Sequence, residues 1–298
     1  MGNKTKKLTA RVKSYVERNL TDIKDFAHIS SHDFAWKVRW RMKNDRNPLF
    51  VQVQDKYKVK EYAQKRGVPT ADIYYVTDAP ETIPFDHLPD QCFIKANHGC
   101  GWNILFKNGK FYNYKNSEDI LHRDAFKQVL TRDECVKFCN IWLETCYSKC
   151  QWAYGQIQPK IIVEEKLEPR DGIALIDYRC FVFDGVLKVV NQDSPNYDKK
   201  TNVFVDAAWK PFDLPGHYEK LPVPFPKEPE MFSEIVRVAE LLGKGFDFAR
   251  VDLFDTTKGI VLSEMTIYPE GGEENTPTTD KNFNKWLGDQ WKLPVVVV

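Results

Sequence analysis

Two acidic phrases near the end of the chain constrain its fold more than any other feature. Arg250 and Asp252 alternate with apolar residues, and Glu264 and Thr266 repeat that alternation twelve residues after the aspartate. The apolar, polar and apolar stretch between them predicts a β-hairpin. With a turn centred on Lys258, Asp252 lies opposite Glu264 and Arg250 lies opposite Thr266. Because side chains alternate between the two faces of a strand, all four share one face.

The other face of this hairpin is apolar, and it is predicted to enter the core with Ala249, Val251, Met265 and Ile267. Two carboxylates held face to face repel each other unless a cation lies between them. Carboxylate oxygens suit Mg²⁺, which keeps several waters and takes other ligands from phosphate groups. The hairpin therefore predicts a platform for a magnesium–nucleotide complex. An alternative stays open here, because charged residues also occupy the solvated face of ordinary antiparallel hairpins.

Length and composition are those of an ordinary globular protein. The 298 residues, 42% hydrophobic and 29% charged, suffice for two or three subdomains with their own cores. No apolar run reaches the roughly 20 residues of a membrane span, and the polar N-terminus lacks the apolar centre of a secretory signal. A cytoplasmic protein is therefore expected. Its seven cysteines should be reduced thiols.

Positive charge is concentrated at the N-terminus. Residues 1–46 carry twelve Lys and Arg against five Asp and Glu, whereas the whole chain has a net charge of +1. Such an arm either makes peripheral contact with an anionic polymer or lipid surface, or forms a solvated helical face. The sequence contains no base-reading motif, so a nucleic-acid partner is not expected. A homo-oligomer is compatible with the sequence.

The rest of the chain alternates short strands with helices. Strands are predicted at 73–77, 92–96, 103–106, 161–165, 177–183 and 186–191, with hairpin turns at 108–109 and 184–185. Helices are predicted within 8–46, over 55–66, within about 117–150 and over 228–242, and a long loop over the site at 194–226. Two cysteine pairs with four-residue spacing, Cys135 with Cys139 and Cys146 with Cys150, predict buried helix faces rather than a zinc site.

A lysine followed by a short glycine loop is the second chemical pattern. Lys95 ends a predicted strand, and His98, Gly99 and Gly101 follow within six residues. Glycines let backbone amides approach a polyanion, and a lysine adds positive charge. The lysine precedes the glycines, unlike the Walker order, and no helix opens directly after them, unlike a dinucleotide fingerprint. The loop indicates a phosphate contact, although two glycines also occur in ordinary β-turns.

Two further strands carry charged residues where they approach the site. Glu164 lies at the end of a buried-type strand, where an acid can accept a hydrogen bond from an adenine amino group or simply meet solvent. Asp177 and Arg179 share one face of the next strand, and they either hold ribose and phosphate or form ordinary sheet surface. The sequence has no recognisable nucleophile motif, which favours phosphoryl transfer without an enzyme nucleophile.

The order of these phrases resembles that of the ATP-grasp enzymes. Within that superfamily, the chain is most similar to the TupA-like proteins of teichuronopeptide biosynthesis, over about residues 40–290. The resemblance implies an α+β ATP-grasp fold in which ATP lies between two α+β subdomains. It divides the chain into a helical basic N-terminal arm at 1–50, an N-terminal α/β subdomain at 51–92, a lid subdomain with the glycine loop at 93–167, and a C-terminal subdomain with the magnesium hairpin at 168–298.

The resemblance also implies a role for each matching residue. ATP would be bound by Lys56, Lys95, His98, Gly99, Gly101, Glu164, Leu167 and Asp177, the first two at its phosphates and the last three at adenine and ribose. One or two Mg²⁺ ions would be held by Asp252, Glu264 and Thr266, and catalysis would rest on Arg250 and Arg179, with Arg250 facing the oxyanion of a tetrahedral intermediate. Thr266 stands where most such ligases have Asn, and Glu270 stands where relatives tend to have glycine.

The activity implied by this resemblance is that of an ATP-dependent carboxylate–amine ligase. ATP would phosphorylate a carboxylate, and an amine would then attack the acylphosphate to give an amide, ADP and phosphate. The implied substrates are a uronic acid or polysaccharide precursor and an amino acid or amino alcohol, in a bacterial capsule or lipopolysaccharide. The alternatives are a glycosyltransferase, which the lack of an Asp-x-Asp motif disfavours, an ATP-dependent phosphotransferase, and a non-catalytic module of an assembly complex.

Overall fold

The computed structural model describes residues 32–113, 129–194, 201–212, 214, 225–273 and 280–294. Within these ranges the chain has six α-helices: α1 Phe34–Asn44, α2 Leu49–Gln54, α3 Lys58–Gln64, α4 Arg132–Glu144, α5 Phe232–Gly243 and α6 Lys281–Gln290. In the same ranges, no helix combines the length and the apolar character needed to cross a bilayer.

The first sheet is built from six antiparallel strands in the order β1-β6-β2-β3-β4-β5. The strands are β1 Ile73–Thr77, β2 Gln91–Ala96, β3 Asn103–Lys107, β4 Lys110–Asn113, β5 Val129–Leu130 and β6 Ile161–Glu165. Its core lies under helix α4, which begins with a capping box between Thr131 and Glu134. Cys135 and Cys139 enter that core from one face of the helix.

The second sheet is built from five antiparallel strands in the order β11-β10-β7-β8-β9. The strands are β7 Asp177–Phe183, β8 Val186–Ser194, β9 Thr201–Val205, β10 Phe248–Thr256 and β11 Gly259–Thr266. Helix α5 packs on one face of this sheet, where the Cβ of an alanine at Gly243 would come within 2.5 Å of Val182. The four hairpin residues predicted to be core, Ala249, Val251, Met265 and Ile267, are all buried, which confirms that prediction.

The other face of the second sheet is divided between apolar and charged residues. Phe181, Phe183 and Phe248 form the apolar part, and Phe34 of α1 packs against all three rings at centroid distances of 4.9–6.1 Å. The charged part continues the same strands, since Arg250 is opposite Phe181 and Asp252 is opposite Arg179. Helix α1 therefore covers the apolar half of this face and not the charged half.

Arg41 fixes α1 to the sheet from a fully buried position. Its guanidinium donates to the carbonyl oxygens of Phe248 at 2.9 Å and Ile267 at 3.3 Å, and it pairs with Asp247. The guanidinium carbon lies 4.2 Å from the ring centroid of Trp291, whose Nε1 donates to Asp247 at 2.7 Å. Because the guanidinium satisfies two carbonyl groups at the ends of β10 and β11, it sets the height of α1 above the sheet.

Most predicted strands are confirmed, three of them, β1, β6 and β7, with identical bounds. Both predicted hairpin turns are present, and Asn108, Gly109, Asp184 and Gly185 all have positive φ. The predicted loop at 194–226 is wrong in part, because residues 201–205 form β9 and pair with β8. The predicted division of the chain at residue 92 stays a prediction, and β2 runs across that position.

Three helix predictions were too long. Residues 55–66 contain a shorter helix because Asp55 lies before it and accepts hydrogen bonds from the backbone amides of Tyr57 and Lys58. The helix predicted over 228–242 begins at Phe232. It follows a turn in which the backbone amide of Phe232 donates to the carbonyl oxygen of Pro229. Of the stretch 117–150, residues up to 128 lie outside the described ranges, and α4 ends at Glu144. Cys146 and Cys150 therefore do not share a helix face, although all seven cysteines are free thiols as expected.

We expect that replacing Arg41 by alanine lowers the free energy of unfolding by about 3 kcal/mol, because it leaves the half-buried Asp247 and two buried carbonyl groups without their donor. Chemical denaturation followed by circular dichroism measures this value. Lys43→Ala, an exposed change on the same helix, is the control and should alter stability by less than about 0.5 kcal/mol. Equal effects of the two substitutions would contradict the anchoring role of Arg41.

Candidate active site

The pairing predicted for the C-terminal hairpin is confirmed. Asp252 is opposite Glu264 and Arg250 is opposite Thr266. The turn is centred half a residue before its predicted centre at Lys258, because Thr256 pairs with Gly259. The register of the two strands then shifts between Asp252 and Leu253. A bulge on the β11 side thus restores the pairing that the two-residue turn would otherwise have displaced.

Arg250 interacts with four side chains around it. Its Nε and Nη2 donate to the two oxygens of Asp252 at 2.8 and 2.6 Å, and Nη2 also donates to Thr266 Oγ1 at 3.1 Å. The same Nη2 lies 3.5 Å from Glu264 Oε1, and Nη1 lies 3.9 Å from Glu270 Oε1. One guanidinium therefore neutralises the acids that face each other across β10 and β11.

The two facing carboxylates have opposite pKa shifts. Burial raises the pKa of Asp252 to about 7, although Arg250 opposes that shift. Burial also raises the pKa of Glu264, but the positive charges of Lys56 and Arg250 outweigh it and hold the value at about 2. Lys56 provides this charge from the short segment before α3, with its Nζ 2.5 Å from Glu264 Oε2. Burial thus favours the protonated form of Asp252, whereas Lys56 and Arg250 favour the ionised form of Glu264.

This donor set fits a hard divalent cation. Asp252 and Glu264 supply carboxylate oxygens from a directly opposed cross-strand pair, and both are balanced by protein cations that a metal ion could replace. Over the described ranges, His, Cys, Asp and Glu side chains form no group of three that could hold a metal. Mg²⁺ is commonly bound by one or two carboxylates, with water and substrate phosphate completing its shell. Thr266 Oγ1 is engaged by Arg250, so it is a weaker candidate ligand.

Glu164 on β6 is the centre of a second cluster of charges. It pairs with Lys95 of β2, and its Oε2 lies 3.1 Å from Lys60 Nζ. Lys60 was missed by the sequence reasoning, although it lies on α3 only four residues after Lys56. Burial raises the pKa of Glu164, but the two lysines outweigh it and hold the value at about 2.

The glycine loop lies against aromatic residues of α4 and the segment after it. His98 is buried, with its Nε2 3.0 Å from the carbonyl oxygen of Trp142 and its Nδ1 3.0 Å from Asn97 Oδ1. Its ring is thus committed to the protein interior, so only its backbone is left for a phosphate contact. Gly99 is required for packing, because a Cβ there would lie 2.4 Å from the indole of Trp102, and Gly101 has a φ of +69°.

Tyr154 is a second residue that sequence reasoning missed. Its ring centroid lies 4.8 Å from that of Tyr147, which lies 5.6 Å from that of Trp102 in the glycine loop region. Burial raises the pKa of the Tyr154 phenol, and the charges of Lys56 and Glu264 act on it most strongly. Its place in a 3₁₀ turn at Tyr154–Gln156 gives no periodic signal that could have identified it.

Asp177 and Arg179 lie on the charged half of the second sheet, beside Arg250 rather than beside Glu164. Arg179 Nε donates to Asp177 at 2.8 Å, and its Nη2 lies 2.9 Å from Asp193 on β8. The second oxygen of Asp177 is buried without a hydrogen-bond partner among the described residues. The structure thus brings Arg179 together with Arg250, while a ribose contact from Asp177 stays a prediction. Leu167 follows β6 by two residues and is half-buried.

A pocket opens where the apolar and charged halves of this sheet meet. It is small, with a cavity volume of about 30 Å³, and Arg179, Arg250 and Asn191 form its polar wall. Phe34 of α1 closes one side, and the 3₁₀ turn Pro269–Gly272 closes another and brings Glu270 to the rim. The pocket therefore combines two guanidinium groups with an acid, next to the paired carboxylates of the hairpin.

We expect Glu164→Gln to lower the free energy of unfolding by about 3 kcal/mol at pH 7, because it leaves Lys60 and Lys95 without their shared anion. The folded-state pKa of about 2 is below the unfolded value of about 4.3, so this stabilisation is present above pH 4.3 and is lost as the pH falls toward 2. Urea denaturation from pH 7 to 3.5 measures the difference. Glu61→Gln on the exposed side of α3 is the control, and a pH-independent difference would contradict the assignment.

The chain matches one protein family and is similar to several solved structures. None of the curated proteins matches the sequence significantly. Solved structures with similarity to the chain include the D-alanine–D-alanine ligase from Bacillus anthracis complexed with ATP, at 12% identity over 80% of this chain and 63% of that chain, with a TM-score of 0.44. The corresponding ligase from Helicobacter pylori has 14% identity over 81% of this chain and 61% of that chain, with a TM-score of 0.45.

A third similar structure is the ATP-grasp ligase PsnB complexed with a phosphomimetic variant of its minimal precursor, Mg and ADP, at 13% identity over 82% of this chain and 61% of that chain, with a TM-score of 0.39. The chain thus spans about three-fifths of the length of these ligases. The model of the TupA-like ATP-grasp family matches residues 36–292. Because that match covers most of the sequence, the chain belongs to the TupA-like ATP-grasp family and has the ATP-grasp fold.

Proposed function

We propose that this protein is an ATP- and Mg²⁺-dependent ligase that joins a carboxylate to an amine through an acylphosphate. The observation that carries this proposal is the cross-strand pair of Asp252 and Glu264, with Lys56 and Arg250 converging on it. Carboxylates that hold a metal beside cations that hold phosphate are the parts that phosphoryl transfer needs. The ligases among the similar structures make this reaction class the first one to test.

Each charged residue would have a defined task in this reaction. Bound between Asp252 and Glu264, Mg²⁺ would neutralise phosphate charge during transfer. Lys56 and Lys95 would turn from Glu264 and Glu164 to the ATP phosphates, while the backbone of Gly99 and its neighbours lies over them. Glu164 would then be free to accept a hydrogen bond from adenine, with its charge still balanced by Lys60 at 3.1 Å.

Arg250 would act on the second half of the reaction. Its Nη1 is its least engaged nitrogen, 3.9 Å from Glu270, and it lines the pocket beside the hairpin. In the ligand-free site Asp252 and Thr266 hold this guanidinium, which would provide positive charge where the oxyanion of a tetrahedral intermediate develops. Arg179 on the neighbouring strand would bind the substrate carboxylate in the same pocket.

The residues that line the pocket support a proposal for the substrate class. Two guanidinium groups favour an acid and the rim acid favours an amine, so we propose a uronic acid that is joined to an amino acid or amino alcohol. We propose that this product belongs to a bacterial capsular or lipopolysaccharide glycan. An enzyme that consumes ATP for this purpose would act in the cytoplasm, on precursors that are later exported.

We expect ADP release to require an acid and an amine together. A panel of glucuronate and galacturonate with L-alanine and ethanolamine, followed by coupled ADP detection and mass spectrometry, should give one amide per ADP. Asp252→Asn should lower this turnover by at least about 100-fold. Asp255→Asn, which removes an acid on the same strand that pairs with Arg170, is the matched control. Turnover of a nucleotide sugar without ATP would instead indicate a glycosyltransferase, and ADP without any amide would contradict a ligase.

We expect Mg²⁺–ATP affinity to rise with pH between 6 and 8. Burial raises the pKa of Asp252 to about 7, and the metal requires the ionised form, so the proton must leave on binding. Affinity should increase about fivefold from pH 6 to 7 and less than about twofold from pH 7 to 8. Isothermal titration calorimetry measures it, with EDTA in place of Mg²⁺ to give the contribution of the nucleotide alone. A metal-dependent affinity that falls over this range would contradict the role of Asp252.

A further inference from the structure

Glu270 has a backbone conformation that an L-residue adopts at a cost. Its φ is 52° and its ψ is 17°, and Gly271 after it has almost the same values. Left-handed backbone is open to glycine but strained for a glutamate, which has no short polar side chain to compensate locally. Strain of this kind is retained where the side chain must reach a particular place. Glycine would satisfy the backbone at residue 270 better than glutamate does.

The strained turn presents the Glu270 carboxylate to the pocket beside the hairpin. Glu270 lines that pocket, and its Oε1 lies 3.9 Å from Arg250 Nη1. Its side chain is 52% exposed, so it is open to a ligand that enters the pocket. Gly272 packs the turn closely against α1, because a Cβ at this residue would lie 2.8 Å from the carbonyl oxygen of Ala35. The carboxylate is thus held by a rigid turn rather than by a loose loop.

The chemistry of amide formation needs a proton acceptor in this pocket. An alkyl amine is an ammonium ion at neutral pH and has no lone pair with which to attack. Arg179, Arg250 and Asn191 of the polar wall are unable to accept its proton. Glu270 and Glu273 are the acids among the lining residues, and Glu270 is the one within 4 Å of Arg250. It therefore stands closest to the group that would face the oxyanion.

We propose that Glu270 binds the incoming ammonium ion and is the base that deprotonates it; this role rests on the proposed ligase function. The Glu270 carboxylate takes one proton from the ammonium, which gives a neutral amine and a carboxylic acid. The amine lone pair forms the C–N bond at the carbonyl carbon of the acylphosphate. The bond between that carbon and the oxygen bridging to phosphorus then breaks, and phosphate leaves with the electron pair of the broken bond. The second nitrogen proton goes to the departing phosphate or to water.

Hydroxylamine distinguishes the role of Glu270 as a base from the binding and stabilising roles of the other site residues. It is uncharged at neutral pH, so no base is needed to release its lone pair. The unaltered protein should form a hydroxamate from glucuronate, ATP and hydroxylamine, and an amide when ethanolamine replaces hydroxylamine. Glu270→Gln should lower kcat/KM for ethanolamine by at least about 100-fold and leave hydroxamate formation within about threefold. Glu228→Gln, the same change at an exposed position, should leave both rates unchanged.

Glu270→Gly provides a second test that does not depend on how glutamine packs. It relieves the left-handed backbone, so its thermal midpoint should equal or exceed that of the unaltered protein, while amide formation falls as in Glu270→Gln. Equal losses of hydroxamate and amide in either variant would overturn the role of Glu270 as base. Failure of the unaltered protein to form either product would instead contradict the ligase function and remove the basis for this role.

Discussion

The structure depends on keeping several carboxylates and cations close together on the partly covered face of one sheet. Asp252 and Glu264 face each other across β10 and β11, and their repulsion is offset by Arg250 from the same sheet and by Lys56 from the segment before α3. Burial raises the pKa of both acids. The cations outweigh this effect at Glu264 and hold its pKa at about 2, whereas the pKa of Asp252 stays raised, at about 7. The ligand-free site is thus held together by charges that a metal–nucleotide complex would redistribute.

The segment from Lys56 to Lys60 connects the two sheets electrostatically. Lys56 pairs with Glu264 of the second sheet, while Lys60 pairs with Glu164 of the first sheet. Asp55, just before them, accepts a hydrogen bond from Asn97 beside the glycine loop. A nucleotide between the sheets would therefore contact side chains whose positions are already coupled, so that binding at the phosphates and at the base is one event. The pocket beside Arg250 lies outside this coupled group, on the side that α1 partly closes.

Much of this arrangement could be predicted from the sequence because it depends on alternation along strands. The position of Asp252 opposite Glu264 follows from the two-residue period of the strands and the length of the hairpin. The bulge corrects the register of the hairpin and does not alter which face the two acids share. Contacts between segments that are far apart in sequence were harder to predict. Lys60 and Tyr154 reach the site through tertiary packing, and the capping role of Asp55, which shortens α3, depends on hydrogen bonds that the residue pattern does not specify.

The most direct test of the account is the position of the metal ion in a complex with nucleotide. A crystal structure with Mn²⁺ and a non-hydrolysable ATP analogue would locate the ion by its anomalous scattering. We expect a peak between the carboxylates of Asp252 and Glu264, at about 2.2 Å from an oxygen of each, with Lys56 moved to a phosphate. Nucleotide bound elsewhere, with Arg250 and Lys56 still holding both acids and no metal between them, would contradict it.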